Sequence, residues 1–570
     1  MPGARLQMSI ANAQQEIILN GNPLKTFFRT TYSKYTNFAM QRFRIDFEGN
    51  PTPHLSETSS YVFKIKRYAD LLMDSYLSFT LPHVWSPIRP PTSSNSNSPE
   101  VLKNLLEWAP YEFKWIDFLG AIMIKEIEIT CGNQTLQKYS GEYILSCAHR
   151  DLTGEKKDLF NEMIGHIPEI RDPGNSGARV NAYPNAFYTT NPAGAEPSIR
   201  GKKLLIPLNA FFCLNSQKAF PLVALQYNEL EIKITLRPIQ ELFRIRDVTD
   251  LVHRFPYIAP NFNVQEFQLY QFLQTPPSVM LNADSYEDKR ATWNADIHLV
   301  CTYCFLSMDE ARLFAMQEQS YLIKQIREYS FHNFFGTGRV RLDSYGLVPT
   351  YVFYFRRSDA NLRNEWTNFT NFPYSYLPVD LAMASSQGGF PVMRVRPNGV
   401  RDYAEIGPGV NIDGRPTGYF ITGDFAPENQ MDILQTMAIY LNGEYRENNL
   451  NVDIYRYMEH YMRIIGNPCS SLPGLMSYNY CLSSSNSDMQ PSGAISHTSY
   501  KRIEMEFELI SPPLDINAQT LTICDPLTNT PCGINKGDWA IFKYTYDMRI
   551  FEEYYNILKF TNGNCGMMYQ

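Results

Sequence analysis

The sequence predicts a mainly β, in essence all-β, protein in two consecutive large domains. Three observations predict it. Apolar and polar residues alternate with a period of two in run after run, which is the mark of half-buried strands. Aromatic residues make up 14% of the chain and charged residues only 19%, a balance that favours buried sheet over long solvated helices. The runs are separated by long Pro-, Ser- and Gly-rich stretches with little helical periodicity. At 570 residues the chain exceeds one ordinary core, so two domains are the simplest division.

In chain order, Asn22-Pro23 breaks any helix entering from the N-terminus, because proline lacks the amide hydrogen and pushes its predecessor towards extended geometry. Residues 1–26 are therefore read as an N-terminal arm, and Thr26-Phe27-Phe28 as the entry to a first strand. From Lys125 to Cys131, Ile127, Ile129 and Cys131 alternate with Glu126, Glu128 and Thr130. From Leu230 to Leu236, Leu230, Ile232, Ile234 and Leu236 alternate with Glu231, Lys233 and Thr235. Arg237 to Asn263, with Pro238, Pro256 and Pro260, separates two blocks of β pattern, so the first domain is placed at 27–255 and the second at 256–570. Ser307-Met308-Asp309-Glu310 has a capping-box pattern, and Glu310 to Ile326 contains neither Gly nor Pro, which predicts a helix from Asp309. Tyr351 to Phe355 is a continuous apolar run suited to burial on both faces. Met431 to Met437 reads as a short helical or irregular lead-in to Ala438-Ile439-Tyr440-Leu441. In the last alternating run Ile503, Met505, Phe507 and Leu509 are interleaved with Glu504, Glu506 and Glu508. The stretches Pro87 to Pro99, Asp172 to Gly201, Gln387 to Pro416 and Ser483 to Gly493 read as long decorating loops.

Chemistry is hard to find in these residues. There is no His-Glu-x-x-His, no Gly-x-Ser-x-Gly and no phosphate-loop Gly-Lys-Ser/Thr. Gly336-Thr337-Gly338 and Gly407-Pro408-Gly409 lack the third glycine of a dinucleotide fingerprint and read as hairpin turns. Cys301 and Cys304 form a CxxC, but inside a strand-like run and with no second pair to complete a zinc site, so both read as core cysteines. Asp453 with Glu459-His460 comes nearest to a ligand cluster, although Tyr455, Tyr457 and Tyr461 fit a packed surface better. No catalytic, cofactor or metal residue is therefore expected, and no enzyme. The net charge of −7 comes without a concentrated basic tract, Arg200-Gly201-Lys202-Lys203 being short, so no direct grip on nucleic acid is expected. Met1 to Asn20 has no continuous apolar core and is not read as a secretory leader. No run of about 18 apolar residues marks a transmembrane helix. Ten irregularly spaced cysteines do not form a disulfide framework, which makes a reducing compartment the expectation. Without a secretory leader, Asn133-Gln134-Thr135 and Asn368-Phe369-Thr370 are read as accidental glycosylation patterns.

Several stretches carry a likeness to a known family. Gly21-Asn22-Pro23, Thr26-Phe27-Phe28-Arg29 and Thr36-Asn37-Phe38 resemble the opening of the major capsid proteins of nucleocytoplasmic large DNA viruses. Arg67-Tyr68-Ala69-Asp70-Leu71 resembles the family's turn before a strand. Leu119 to Lys125 with Gly132 and Gly141-Glu142-Tyr143 resembles the hairpin that follows, and Ile206-Pro207-Leu208-Asn209 through Pro221 to Tyr227 the helix and strand closing the first domain. Asp309-Glu310-Ala311-Arg312 with Phe314-Ala315, Leu441-Asn442-Gly443, Gln490-Pro491-Ser492-Gly493 and Tyr555-Asn556-Ile557-Leu558 follow in family order. The terminal turn departs from the pattern, with Cys565 between Gly563 and Gly566, and Ala494-Ile495 replaces the usual Asn-aromatic. The resemblance implies two consecutive eight-stranded antiparallel jelly rolls with long loops and a few short helices. It implies a structural major capsid protein, a homotrimer of pseudo-hexagonal outline tiling an icosahedral shell. Its implied partners are neighbouring capsomers, minor capsid, cement and penton proteins and the internal membrane beneath the shell. The implied location is the virion shell, after synthesis in the host cytoplasm. The family's termini face inward and its long loops outward, so Met1 to Asn20 is expected on the inner side and Pro87 to Pro99 and Gln387 to Pro416 in an outer crown. The rival expectation is a carbohydrate-binding or glycan-processing jelly-roll surface protein, which needs an aromatic platform or a pair of carboxylates in a cleft.

Overall fold

The computed structural model describes residues 3–5, 21–49, 52–87, 111–179, 183–184, 196–247, 257–276, 286–371, 432–466, 472–510 and 544–569, with the backbone of six short strands between 394 and 534. In the first lobe the strands are β1 (Phe38–Ile45), β2 (Ser59–Ile65), β3 (Leu71–Thr80), β4 (Phe113–Trp115), β5 (Ile124–Cys131), β6 (Gln134–Tyr139), β7 (Lys203–Pro207), β8 (Phe220–Pro221), β9 (Leu230–Leu236), β10 (Phe243–Arg246), β11 (Tyr257–Ile258) and β12 (His298–Leu306). The second lobe begins with β13 (Gln319–Phe334), β14 (Thr337–Leu342) and β15 (Leu347–Arg357). Short strands β16 (Arg394–Val395), β17 (Arg401–Asp402), β18 (Gly407–Val410) and β19 (Pro416–Ile421) follow. Then come β20 (Leu434–Leu441), β21 (Glu444–Asn451), β22 (Met476–Asn479), β23 (Ile495–Ser496), β24 (Ile503–Leu509), β25 (Thr522–Cys524), β26 (Pro531–Ile534), β27 (Tyr546–Thr561) and β28 (Asn564–Met567). Helices are short: α1 (Leu119–Ile122), α2 (Gly141–Asp151), α3 (Gly154–Met163), α4 (Pro168–Arg171), α5 (Met308–Met316) and α6 (Glu459–Arg463).

The wiring repeats. In the first lobe one sheet runs β1-β12-β3-β7 and the other β2-β9-β5-β6; in the second lobe the sheets run β13-β27-β15-β22 and β14-β24-β20-β21. Numbering the eight principal strands of each lobe from first to eighth, both lobes have the orders 1-8-3-6 and 2-7-4-5. That is jelly-roll wiring, in which each closing strand returns to lie beside the first. Alternation explains the inner faces: in β9, Leu230, Ile232, Ile234 and Leu236 are all buried, as are Ile503, Met505, Phe507 and Leu509 in β24. The hairpin turns Asn442-Gly443 and Asn562-Gly563 have positive φ at both residues, the geometry Asn-Gly favours in a two-residue turn.

β15 and β27 are buried on both sides. Tyr351, Phe353, Phe355, Met548 and Ile550 point into the second lobe's core. Their neighbours Val352, Tyr354, Phe551, Leu558 and Phe560 join the core of the first lobe. The first sheet of the second lobe is thus a layer shared by both cores, which is why Tyr351 to Phe355 carries no polar alternation.

Several sequence expectations differ from the structure. β12, which follows residue 255 in the chain, lies hydrogen-bonded between β1 and β3 in a sheet of the first lobe. Pro238 and Pro260 instead flank the segments that supply β10 and β11 to a three-stranded sheet with β4. The helix from Asp309 stops at Met316, because Gln319 onwards pairs residue by residue with β27 and that long ladder outweighs local helix propensity. Residues 434–437 are strand, held by β24. Thr26-Phe27-Phe28 has β-favouring residues but pairs with no strand, and the first strand starts at Phe38. Gly141-Glu142-Tyr143 opens α2 rather than a hairpin, and the 206–227 stretch supplies β7, β8 and 3-10 turns, closure of the lobe being left to β9 and β12.

Candidate functional site at the seam between the lobes

The most concentrated polar chemistry lies where the lobes meet, and α2 positions it. Gly141 makes the approach possible: a Cβ there would stand 1.8 Å from the carbonyl oxygen of Ala121 and 2.7 Å from that of Ile124. The backbone of α2 therefore packs directly on α1 and the start of β5. Every residue from Gly141 to Arg150 is buried, Glu142, His149 and Arg150 included. The orphan amide of Ser140 at the helix entrance donates to Glu328 Oε1 on β13 at 2.7 Å.

Two carboxylates organise the seam. Glu142 Oε1 accepts from Arg237 Nη2 at 3.1 Å and from Arg356 Nη1 at 3.2 Å, while Oε2 accepts from the Tyr354 hydroxyl and lies 3.8 Å from Arg549 Nε. Arg237 belongs to the first lobe; Tyr354, Arg356 and Arg549 belong to the second. Across the same layer, Glu553 on β27 accepts from Arg150 Nη1 at 2.7 Å, from the Tyr143 hydroxyl at 2.9 Å and from Lys324 Nζ at 3.2 Å. Arg150 also forks onto Asp151 at 2.7 and 3.0 Å. Lys324 donates in addition to the carbonyls of Ser484 and Ser485 and to Asn486 Oδ1, at 3.0 to 3.3 Å. The Ser483 to Gly493 segment, expected as a decorating loop, is in part a packed component of this network, with Ser484 fully buried.

Amide side chains set the register of the contact. Gln137 donates to the Lys324 carbonyl at 2.7 Å and accepts from the Phe211 amide at 3.0 Å. Gln325 donates to the Leu136 carbonyl at 2.8 Å and accepts from Asn556 at 2.7 Å. A slip of one residue would break each of these bonds and leave buried charges unpaired, at several kcal/mol per charge. The network holds the two lobes at one fixed orientation.

The seam is pH-sensitive. Burial alone would raise the Glu142 carboxyl, but Arg356, Arg549 and Arg237 and the Tyr354 hydroxyl hold it at about 2, against an ordinary 4.5. A carboxyl lowered in the folded state adds stability above its unfolded pKa and loses it as pH falls towards the folded value. Glu142 should therefore contribute roughly 3 kcal/mol above about pH 4.5, vanishing towards pH 2. Glu553, raised by burial but lowered more by Arg150 and Lys324, acts in the same direction. Glu552, on the opposite face, is pushed by burial to about 7, so its contribution is present below 4.5 and fades as pH rises through 7. Urea midpoints at about pH 6 and about pH 3 should show the acid loss, and it should shrink in Glu142→Gln.

Residues singled out in the sequence are not gathered into a second site. Cys301 lies in the main core and Cys304 in a small cluster with Leu71 and Ala219. His460 Nδ1 meets the Arg456 carbonyl at 2.7 Å and Glu459 meets Asn479 at 2.8 Å, while Asp453 is exposed; among the described residues no group of His, Cys, Asp and Glu is placed to hold a metal ion. Asn368 is buried and hydrogen-bonded to Thr370, whereas Asn133 is exposed in the β5–β6 turn. Gly336 forms a turn with φ 66°, and Gly407-Pro408-Gly409 lies in β18. Pro87 is described and buried, while 88–99, most of 387–416 and most of 1–20 lie outside the described residues.

Two surface features lie outside the ionic network. Residues 21–37 form an extended arm whose Leu24, Phe27, Phe28, Tyr32 and Tyr35 are 88 to 104% exposed. A cavity of about 600 Å³ is lined by Tyr345, Tyr554, Tyr555 and Tyr569 with Gln134 and Asn556. Sequence reasoning missed the seam residues, although a signal was present: Arg356 directly follows the apolar run Tyr351 to Phe355, and Glu552-Glu553 interrupts Ile550-Phe551 and Tyr554-Tyr555. Charges inside a run buried on both faces require partners from another element.

Residues 26–274 match the family model described as major capsid protein N-terminus. Over 336 residues the chain is 29% identical to a major capsid protein of Chrysochromulina ericina virus, covering 57% of this chain and 52% of that protein. Over 330 residues it is 26% identical to a major capsid protein of Phaeocystis pouchetii virus, covering 57% and 53%. The matched region spans about half the length of these curated relatives. Among solved structures, VP54 of PBCV-1 superposes with a TM-score of 0.58 at 16% identity, over 96% of this chain and all of that one. The Faustovirus major capsid protein gives 0.58 at 11% identity, over 98% and 96%. At such identities the likeness is one of fold, and it covers both lobes.

Proposed function

We propose that this chain, a relative of the major capsid proteins of nucleocytoplasmic large DNA viruses with their double jelly-roll fold, is itself the major building block of an icosahedral shell. The observation that carries the reading is the pair of identically wired lobes locked by a buried ionic seam. Three such chains about a threefold axis present six similar lobes, and a block of pseudo-hexagonal outline tiles a flat lattice. Tiling needs a block whose halves do not rock, and the seam supplies that rigidity. The partners are then further copies of the trimer together with minor capsid, cement and penton proteins, and the location is the virion shell, after synthesis in the host cytoplasm. The domain limits of this reading are 38–306 and 319–569, each one jelly roll. Electron microscopy of the purified chain tests it directly: hexagonal trimers support it, and a monodisperse monomer at high concentration sinks it.

The exposed aromatic arm fits the same reading. Five large apolar side chains in water are costly, each worth about 1.5–3 kcal/mol when buried, so the arm is a contact element towards a neighbouring shell component or the membrane beneath. Removing residues 1–37 should leave isolated trimers intact and block assembly into larger sheets or shells. A monomeric or unfolded product on sizing with light scattering would contradict this. One observation favours the rival reading as a carbohydrate-binding surface protein, namely the tyrosine-lined cavity; binding on a glycan array by a monomer would support that rival.

A further inference from the structure

The seam is continued at one end by sulfur. Cys131 ends β5 in the first lobe, opposite Leu230 of β9 and Gln134 of β6. Cys565 lies in β28 of the second lobe, opposite Phe560. Two sets of hydrogen bonds draw these elements together: Gln134 Oε1 accepts from the Met567 amide at 3.2 Å, and the Gly563 carbonyl accepts from the amides of Gln226 and Tyr227 at 2.8 and 3.3 Å. The side chains of Cys131 and Cys565 belong to the same apolar cluster, and each thiol is the neighbour that most perturbs the other. Both are free thiols in the structure.

The geometry points to a redox-formed staple between the lobes, a disulfide joining Cys131 to Cys565. The reaction is thiol–disulfide exchange with a small-molecule disulfide such as oxidised glutathione. The Cys131 thiolate, its proton lost to water, attacks the oxidant to give a mixed disulfide and release one equivalent of reduced thiol. The Cys565 thiolate then attacks the Cys131 sulfur, closing the protein disulfide and expelling the second equivalent. Two protein thiols are oxidised and one small disulfide is reduced to two thiols. The order follows from the surroundings: the neighbouring Cys565 thiol lowers the Cys131 thiol against the opposing effect of burial, with Arg67 adding to the lowering, while the Cys131 thiol and burial raise Cys565. Cys131 is therefore the attacking thiol and Cys565 the resolving one. Among the described residues β28 pairs with β27 alone, at the side of its sheet, so opening of this short hairpin admits the oxidant. A bond between residues so far apart in sequence closes a very long loop, where cross-linking constrains the unfolded chain most. The pair is expected reduced in the cell and closed in an oxidising medium.

The test uses the full chain, refolded from urea in a buffer of reduced and oxidised glutathione so that all thiols are accessible, and digested without reduction. A linked peptide containing Cys131 and Cys565, two hydrogens lighter than the reduced pair, is expected as the dominant disulfide. The urea midpoint of this material should fall on adding dithiothreitol, and that fall should vanish in Cys565→Ser. Because a serine variant can lose stability for other reasons, the wild-type comparison with and without reductant is the deciding one. Mixed glutathione adducts at these residues without the linked peptide, links mainly to other cysteines, or a midpoint indifferent to reductant would overturn the proposal.

Discussion

Replacing Glu142 by alanine is expected to destabilise the folded chain by about 3–5 kcal/mol, because it leaves Arg237, Arg356 and Arg549 facing one another around a buried void. The Tyr354 hydroxyl loses its acceptor at the same time. A glutamine should cost less, since it keeps the volume and one acceptor oxygen while removing the charge. The measurement is the urea midpoint near neutral pH with the slope held fixed. A loss under about 1 kcal/mol would place Glu142 among ordinary surface ion pairs and would contradict the seam as the element that locks the lobes. The Arg150–Glu553 pair offers an internal check. Arg150→Met and Glu553→Leu together should cost less than the sum of the two single changes, as the second change removes the buried charge that the first leaves facing an empty position, while Lys324 and Asp151 each lose one partner.

Gly141→Ala should be as damaging by a different route. Its methyl group would meet two carbonyl oxygens of backbone, at 1.8 and 2.7 Å, and neither can rotate away. The helix would have to lift from α1 and β5, carrying Glu142 and Arg150 out of register with the second lobe. A loss above about 4 kcal/mol, or failure to recover soluble chain, is expected. Gly154→Ala is the control, for it opens α3 with nothing within 4 Å of the added carbon, and there alanine should be neutral or stabilising by about 0.4–1 kcal/mol. Equal effects of the two substitutions would refute the close approach.

Much of the fold was legible because it rests on local periodicity. Leu230–Leu236 and Ile503–Leu509 begin and end in the structure where their alternation begins and ends. The membership of His298–Leu306 was not legible, since β4 to β11 stand in the chain between this strand and the β1 and β3 that it joins. Prolines mark where a chain turns, and they do not show which sheet the next strand will enter. Gln319 to Ile326 reads as helix for the same reason: its composition suits a helix, and only the distant ladder with β27 decides otherwise. The seam was hidden more deeply. Glu142, Arg237, Lys324, Arg356 and the Arg549/Glu553 pair of β27 come from five separate places in the chain, with no common spacing between those places. Only their position beside or within apolar runs betrayed them.

The layer formed by β15 and β27 has a consequence for how the two halves can change over time. If this chain arose by doubling of one jelly roll, the copies did not remain interchangeable. Val352 and Phe551 now complete a hydrophobic interior that belongs to the other copy, so a second half expressed alone would carry a bare greasy sheet and a first half alone an open core. Neither copy can be lost, swapped or moved to another gene without the other, and the pair is inherited as one indivisible unit.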